Sequence, residues 1–316
     1  MKFRYLALFV LLGHLKLSVI EPVTAAAQKA AVSRNPADDL SMGFYDNTCP
    51  DVEDIIQQTV GAWIQKDSTL APSLLRLLFH DCAVRGCDAS ILLNFTGSER
   101  TAFVSSTLRE PSSCADILAT AAREATILAG GPSWPVPFGR RDGTISLDKE
   151  AEMVPHGHEN VTTLINFFEA KGLDVSDLVT LSGAHTIGRA SCGTFINRVY
   201  DFNGTGKPDP SLNTHYLPML KKRCKRSTDL VHLDVITPTT FDNVYYTNLQ
   251  RKAGLLTTDQ ELFSDPKTAA SVEAMASQPE LFQNQFAVSM IKVQNIEVLT
   301  RNEGEVRVNC NFLNSP

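Results

Sequence analysis

Arg76 and His80 stand four residues apart in Leu74-Leu75-Arg76-Leu77-Leu78-Phe79-His80-Asp81-Cys82, behind a helix start at Ala71-Pro72-Ser73. That spacing puts both on one helical face. A fixed cation and an imidazole, the side chain that exchanges protons near neutral pH, then point the same way from an otherwise apolar helix. The run continues through Val84, Gly86, Cys87, Asp88 and Ser90, so the helix feeds a loop with two carboxylates, a hydroxyl and two cysteines. Taken alone, this could equally be a buried structural histidine with an arginine at the rim. A second histidine tips the balance. His185 lies in Leu181-Ser182-Gly183-Ala184-His185-Thr186-Ile187-Gly188, where small residues leave room for something flat and large to approach. Asp259, in Leu255-Leu256-Thr257-Thr258-Asp259-Gln260-Glu261-Leu262-Phe263, is a carboxylate in an apolar setting. A buried carboxylate needs a hydrogen-bond donor, and an imidazole N–H is one.

The elements that must position these groups are mostly helices. Val52, Ile55, Ile56, Val60 and Ile64 follow the helical period over residues 51–65. An alanine-rich helix is expected over 114–128, ended by Gly130-Gly131-Pro132. Further helices are expected over 161–171, from Asp177 to the glycines around His185, over 240–252 and over 282–293. A loop punctuated by Gly and Pro spans 133–148 and holds Arg140-Arg141-Asp142-Gly143. Alternating polarity is rare, so the fold class is mainly α.

With 316 residues, the chain is long enough for one large two-lobed domain. A net charge of −6 and a pI near 5.7 argue against nucleic-acid binding. The basic run 221–226 reads as a solvated helix end. Residues 1–27 read as a secretory signal peptide: a basic start, an apolar stretch interrupted by His14 and Lys16, then small residues at 23–27. No stretch reads as a membrane span. Secretion favours disulfides, but seven cysteines leave the pairing open. Asn94, Asn160 and Asn203 lie in N-x-[ST] sequons, which fit glycosylated surface loops.

Several motifs in one order carry a resemblance. L-R-L-x-F-H-D-C at 75–82, G-C-D-A-S at 86–90, S-C-A-D-I-L at 113–118, G-R-R-D at 139–142, L-S-G-A-H-T-I-G at 181–188, F-D-N-x-Y-Y at 241–246 and D-Q-E-L-F at 259–263 resemble the secreted plant peroxidases, the class III haem peroxidases. The match runs from about residue 44 to 310. It implies that residues 28–316 form one haem peroxidase domain, a monomer secreted to the cell wall, with haem b between distal and proximal helical lobes. The expected partners are hydrogen peroxide and small phenols.

By this resemblance His185 is the axial ligand of the haem iron and Asp259 the carboxylate that receives its other ring N–H. His80 is the distal base, and Arg76 stabilises charge as the peroxide bond breaks. Phe79 walls the distal pocket, and Pro155 lies at the haem edge where donors approach. Two calcium ions are implied, one at Asp81, Val84, Gly86, Asp88 and Ser90, the other at Thr186, Asp234, Thr237, Thr240 and Asp242. The implied disulfides are Cys82–Cys87, Cys114–Cys310 and Cys192–Cys224, which leaves Cys49 outside the three pairs.

Two departures from the family stand out. The segment 94–112 is short by about twenty residues, five or six helical turns of chain, as in a splice form or a gene-model error. The family's asparagine beside the distal imidazole, a few residues after the position of Glu99, falls near Ser105, flanked by Val104 and Ser106. A shorter serine would leave His80 a weaker base and slow the reaction with peroxide. The alternative function is therefore a catalytically impaired secreted haem-binding or wall-associated protein that keeps the peroxidase fold.

Overall fold

The central helix of the first lobe is α3 (Cys114–Leu128), buried along nearly its whole length. Its Ser113 cap accepts the Asp116 N–H at 3.1 Å, the N-cap geometry that satisfies an otherwise orphan donor. Around it pack α1 (Val52–Lys66) and α2 (Leu70–Val84). Val52, Ile56 and Val60 of α1 meet Leu74 of α2 and Ile117, Ala121 and Ala125 of α3 in one apolar cluster, which also holds Cys49. This computed structural model describes residues 35–94 and 112–315. The expected signal segment, the position of Glu99 and Ser105, and most of the shortened segment lie outside the described residues.

Downstream come α4 (Asp148–Ala151), α5 (Val161–Ala170), α6 (Val175–Ser182), α7 (Cys192–Tyr200), α8 (Tyr216–Arg223), α9 (Val244–Gln250), α10 (Thr257–Ser264), α11 (Ala269–Ser277) and α12 (Pro279–Val293). The only named strands among the described residues, β1 (Arg189–Ser191) and β2 (Leu230–His232), pair antiparallel. A second apolar cluster joins Phe195 and Val199 of α7 to Tyr216 and Leu220 of α8 and to Leu255 and Leu256. The largest cluster bridges the lobes, from Leu78 and Leu118 through Phe168 and Leu178 to Tyr246, Phe282 and Phe286. The chain is thus mainly helical and two-lobed, as its periodicity and motifs led one to expect.

The helices expected over 51–65, 114–128 and 161–171 fall within a residue or two of α1, α3 and α5. The one expected over 240–252 is a correction. Its helix begins only at Val244, because Thr240 and Asp242 turn away to join a polar cluster with Thr186.

The G-R-R-D segment is a structural pin. Asp116 of α3 accepts from Arg140 Nη1 at 2.9 Å, Gly139 N at 2.8 Å and the Tyr45 hydroxyl at 3.0 Å. Arg140 reaches on to the Gln294 carbonyl at 3.0 Å through Nε. Asp142 accepts from Ala115 N at 3.0 Å and Arg307 N at 2.8 Å. Buried charges of this kind persist only when paired and hydrogen-bonded. Disulfides join Cys82 to Cys87, Cys114 to Cys310 and Cys192 to Cys224.

Candidate active site

Helix α2 buries Leu74, Leu75 and Leu78 and turns Arg76 and His80 outward on the opposite side. Arg76 Nε donates to His80 Nε2 at 3.1 Å. With that nitrogen accepting, its lone pair points at the guanidinium, a base held directly against a fixed positive charge. Burial, then Arg76, then His156 lower the His80 pKa to about 4. The imidazole is therefore neutral, and able to take a proton, at any pH well above that value. With His80 as the base that the resemblance implies, the rate of reaction with hydrogen peroxide should be flat through neutral and mildly acidic pH. It should fall as pH drops through about 4, which a stopped-flow pH series would read. A limb centred near the ordinary histidine value would count against His80 as the base.

Phe79 stacks on Phe168 of α5, with ring centroids 6.1 Å apart, and meets the His80 ring edge-on at 6.2 Å. Pro155 lies half-buried in the turn between α4 and α5, directly before His156. His156 is the electrostatic neighbour of His80, so this turn borders the distal side. A small pocket runs from His80 to the distal loop and is lined by Asp81, Val84, Arg85, Ser90, Ile91, Ser146, Leu147 and Glu150.

On the other lobe, α6 ends at Gly183 and the chain makes a short 3-10 turn, Gly183–Thr186, that carries His185. A Cβ at Gly183 would collide with the Tyr246 hydroxyl and the Phe282 ring, so glycine is needed for the turn to seat. His185 Nδ1 lies 2.7 Å from Asp259 Oδ1, and Tyr245 donates to the same oxygen at 3.1 Å. Leu256 N donates to Oδ2 at 2.9 Å. Burial and the Asp259 charge push the Tyr245 hydroxyl well up, so it stays a donor. The His185 side chain is 36% exposed while Asp259 is 2% exposed. The carboxylate thus fixes the ring from its buried side, and Nε2 is left as the nitrogen open to a ligand.

That arrangement fits a haem iron. An imidazole whose far N–H is held by a carboxylate is the usual protein ligand for such a metal, oriented and made more basic by its partner. Ala184, the small residue directly before it, is half-buried beside the ring.

Both oxygen-rich groups can be examined in the same way. Thr186 Oγ1 lies 3.5 Å from Asp234 Oδ2, 3.4 Å from the Thr240 carbonyl and 3.2 Å from Asp242 Oδ1. Thr237 Oγ1 lies 3.4 Å from Asp234 and 3.0 Å from Asp242. All five expected residues therefore converge, and their hard oxygens suit calcium.

The distal loop converges in part. Asp81, Asp88 and Ser90 are all buried, with Asp81 Oδ2 accepting Ala89 N at 2.9 Å and Asp88 Oδ1 accepting Ser90 N at 2.9 Å. Burial, then the neighbouring Asp88, push Asp81 well above the ordinary carboxylate range, a strain that a cation would relieve. The expected main-chain ligands are already occupied. The Val84 carbonyl accepts Lys171 Nζ at 3.3 Å and that of Gly86 accepts Asp88 N at 2.8 Å. Each carbonyl keeps a second lone pair. The donor set remains compatible with a hard cation.

Sequence reasoning missed two neighbours of the site. Tyr245, within F-D-N-x-Y-Y, braces Asp259 by donating to Oδ1. His156 directly follows Pro155, and that adjacency was the signal available.

Comparison with known proteins agrees with this geometry. The peroxidase family profile matches residues 56–278. The chain is 49% identical over 296 residues to Peroxidase 7 of Arabidopsis thaliana, covering 87% of this chain and 85% of that protein. It is 43% identical over 305 residues to Peroxidase C2 of Armoracia rusticana, covering 87% and 88% respectively. Peroxidase 38 of Arabidopsis thaliana is 42% identical over 305 residues, with the same shares.

Proposed function

Because the chain belongs to the plant class III peroxidases, we propose that it is an active secreted enzyme of this family, reducing hydrogen peroxide at a haem b bound by His185 and oxidising small phenols. The bond between His185 and the buried Asp259 carries this reading: it is a ready-made metal ligand with one ring nitrogen left free. Bound haem would supply an iron that passes electrons between peroxide and donor. The chain's own residues do the rest. With the Arg76 N–H turned from His80 to the peroxide, His80 Nε2 takes the proton from the near oxygen and hands it to the far oxygen, which leaves as water. Arg76, a neighbour of His80 on the same helical face, stabilises the negative charge that builds up as the bond breaks. Phe79 keeps donors from the reacting oxygen, and two donors in turn lose one electron each beside Pro155. A haem-binding protein without turnover is not favoured, since the relatives are named peroxidases.

The test is a visible spectrum of the full-length secreted protein, before and after hydrogen peroxide and then with a phenol. A haem band that changes with peroxide and returns with the phenol is expected. Folded protein with no haem band would overturn the reading.

The two oxygen clusters are proposed calcium sites that hold His80 and His185, since Asp81 and Thr186 are their chain neighbours. Chelation should lower Tm and re-addition restore it. Each site is worth about 2.7 kcal/mol at a hundredfold excess of calcium over Kd. An unchanged Tm would refute the sites.

Secretion to the cell wall as a monomer follows from the same family reading, supported by the leader-like residues 1–27. No helix among the described residues is long and apolar enough to cross a membrane. Asn94, Asn160 and Asn203 are exposed and are proposed glycan sites. Asn160 caps α5 through Oδ1, accepting Thr163 N at 2.9 Å, so its amide nitrogen is spared by the cap.

A further inference from the structure

We propose that Arg198, with Asp209, is a positioning residue for the proximal side: it sets the turn that delivers Asp259 to His185, and through it the electronic character of the iron ligand. This rests on the reading of His185 as that ligand.

Arg198 sits on α7, far in sequence from the turn before Asp259, and is 1% exposed. Its Nε donates to Asp209 Oδ2 at 2.7 Å. Its Nη1 lies 2.7, 2.8 and 2.8 Å from the carbonyls of Gly254, Leu255 and Leu256. Nη2 reaches Ser211 Oγ at 3.3 Å. Three consecutive carbonyl oxygens gathered on one nitrogen repel each other, and a cation between them is what keeps the turn curled. Those residues lead straight into α10, where Asp259 lies in the first turn. The last of them, Leu256, offers its carbonyl to Arg198 and its N–H to Asp259 Oδ2 at 2.9 Å. The chain of contact is thus Asp209, Arg198, the 254–256 turn, Asp259, His185. Asp209 in turn is fixed by Ser211, whose N–H donates at 2.7 Å to Oδ1, so the arginine is held from behind.

If the turn opens, Leu256 N withdraws from Asp259 and the carboxylate is free to drift from the imidazole. A His185 N–H less firmly held makes a weaker donor to the metal. The haem iron should then bind less tightly and be easier to reduce.

The test compares Arg198→Lys with wild type in haem titration of the apoprotein and in the midpoint potential of the loaded protein. Lysine keeps the charge but, as a point charge without the planar fork, cannot serve Asp209 and the three carbonyls together. The expected result is a haem affinity down by about tenfold and a potential moved upward, in the direction of Asp259→Asn. In an Asp259→Asn background, Arg198→Lys should add no further shift in potential. Asp209→Asn is the second variant and should give a smaller change of the same sign; it carries the test if Arg198→Lys does not fold. Asp116→Asn, in the other lobe, should lower Tm and leave the potential alone.

A lowered Tm in Arg198→Lys with wild-type affinity and potential would reduce Arg198 to a structural brace and overturn the proposal. So would a shift that adds fully to that of Asp259→Asn. If Asp259→Asn itself leaves potential and affinity unchanged, the reading of the His185–Asp259 pair fails, and the proposal fails with it.

Discussion

Replacing His80 with leucine is expected to slow the reaction with hydrogen peroxide by about 10²–10⁴-fold while haem stays bound. The magnitude is that of losing a positioned general base. Leucine fits because the helix around His80 is already leucine-rich, and the side chain is only half-buried, so the fold has little to lose. Haem retention should hold because the proposed iron ligand is on the other lobe, on the turn Gly183–Thr186. Arg76→Leu should show a separate loss of about 10²–10³-fold, since Arg76 supplies charge rather than proton transfer. The two losses should not sum in the double variant, because a hydrogen bond of 3.1 Å joins the groups and residues acting as a unit are not additive. Stopped-flow measurement on haem-loaded protein decides. A His80→Leu rate within tenfold of wild type would remove His80 from the mechanism.

Asp259→Asn is expected to weaken haem binding by about 10–100-fold, the usual cost of losing the partner that orients a metal-ligating histidine. The local reason is a conflict of donors. Asp259 accepts from His185 and Tyr245 on one oxygen and from Leu256 N on the other. An asparagine has a single acceptor oxygen, so its NH₂ group must face one of those donors whichever way the amide is turned. Each buried donor left without an acceptor costs about 1–3 kcal/mol. Haem titration of the apoprotein measures the first effect and urea unfolding of the apoprotein the second. Lowered stability together with wild-type haem affinity would assign Asp259 to the fold alone.

What the amino-acid sequence determined by itself was local. The period of Val52, Ile56 and Val60 set the buried face of α1, and the four-residue step from Arg76 to His80 put both on one side of α2. These follow from helical geometry, which depends on spacing alone. The ordered motifs then identified the family, and with it the mainly helical, two-lobed architecture.

Other features needed the tertiary structure. Thr240 and Asp242 read as the start of a helix, but they are drawn to Thr186, some fifty residues back in the chain. The Asp259 carboxylate found its three donors in three different segments, only one of them its own. Arg198 showed nothing in the sequence to set it apart from any other arginine on a helix. Its burial against three main-chain carbonyls appears only after α7 has packed beside the turn before α10. Main-chain oxygens carry no residue-type signal, so a charge that serves them is invisible until the chain has folded around it.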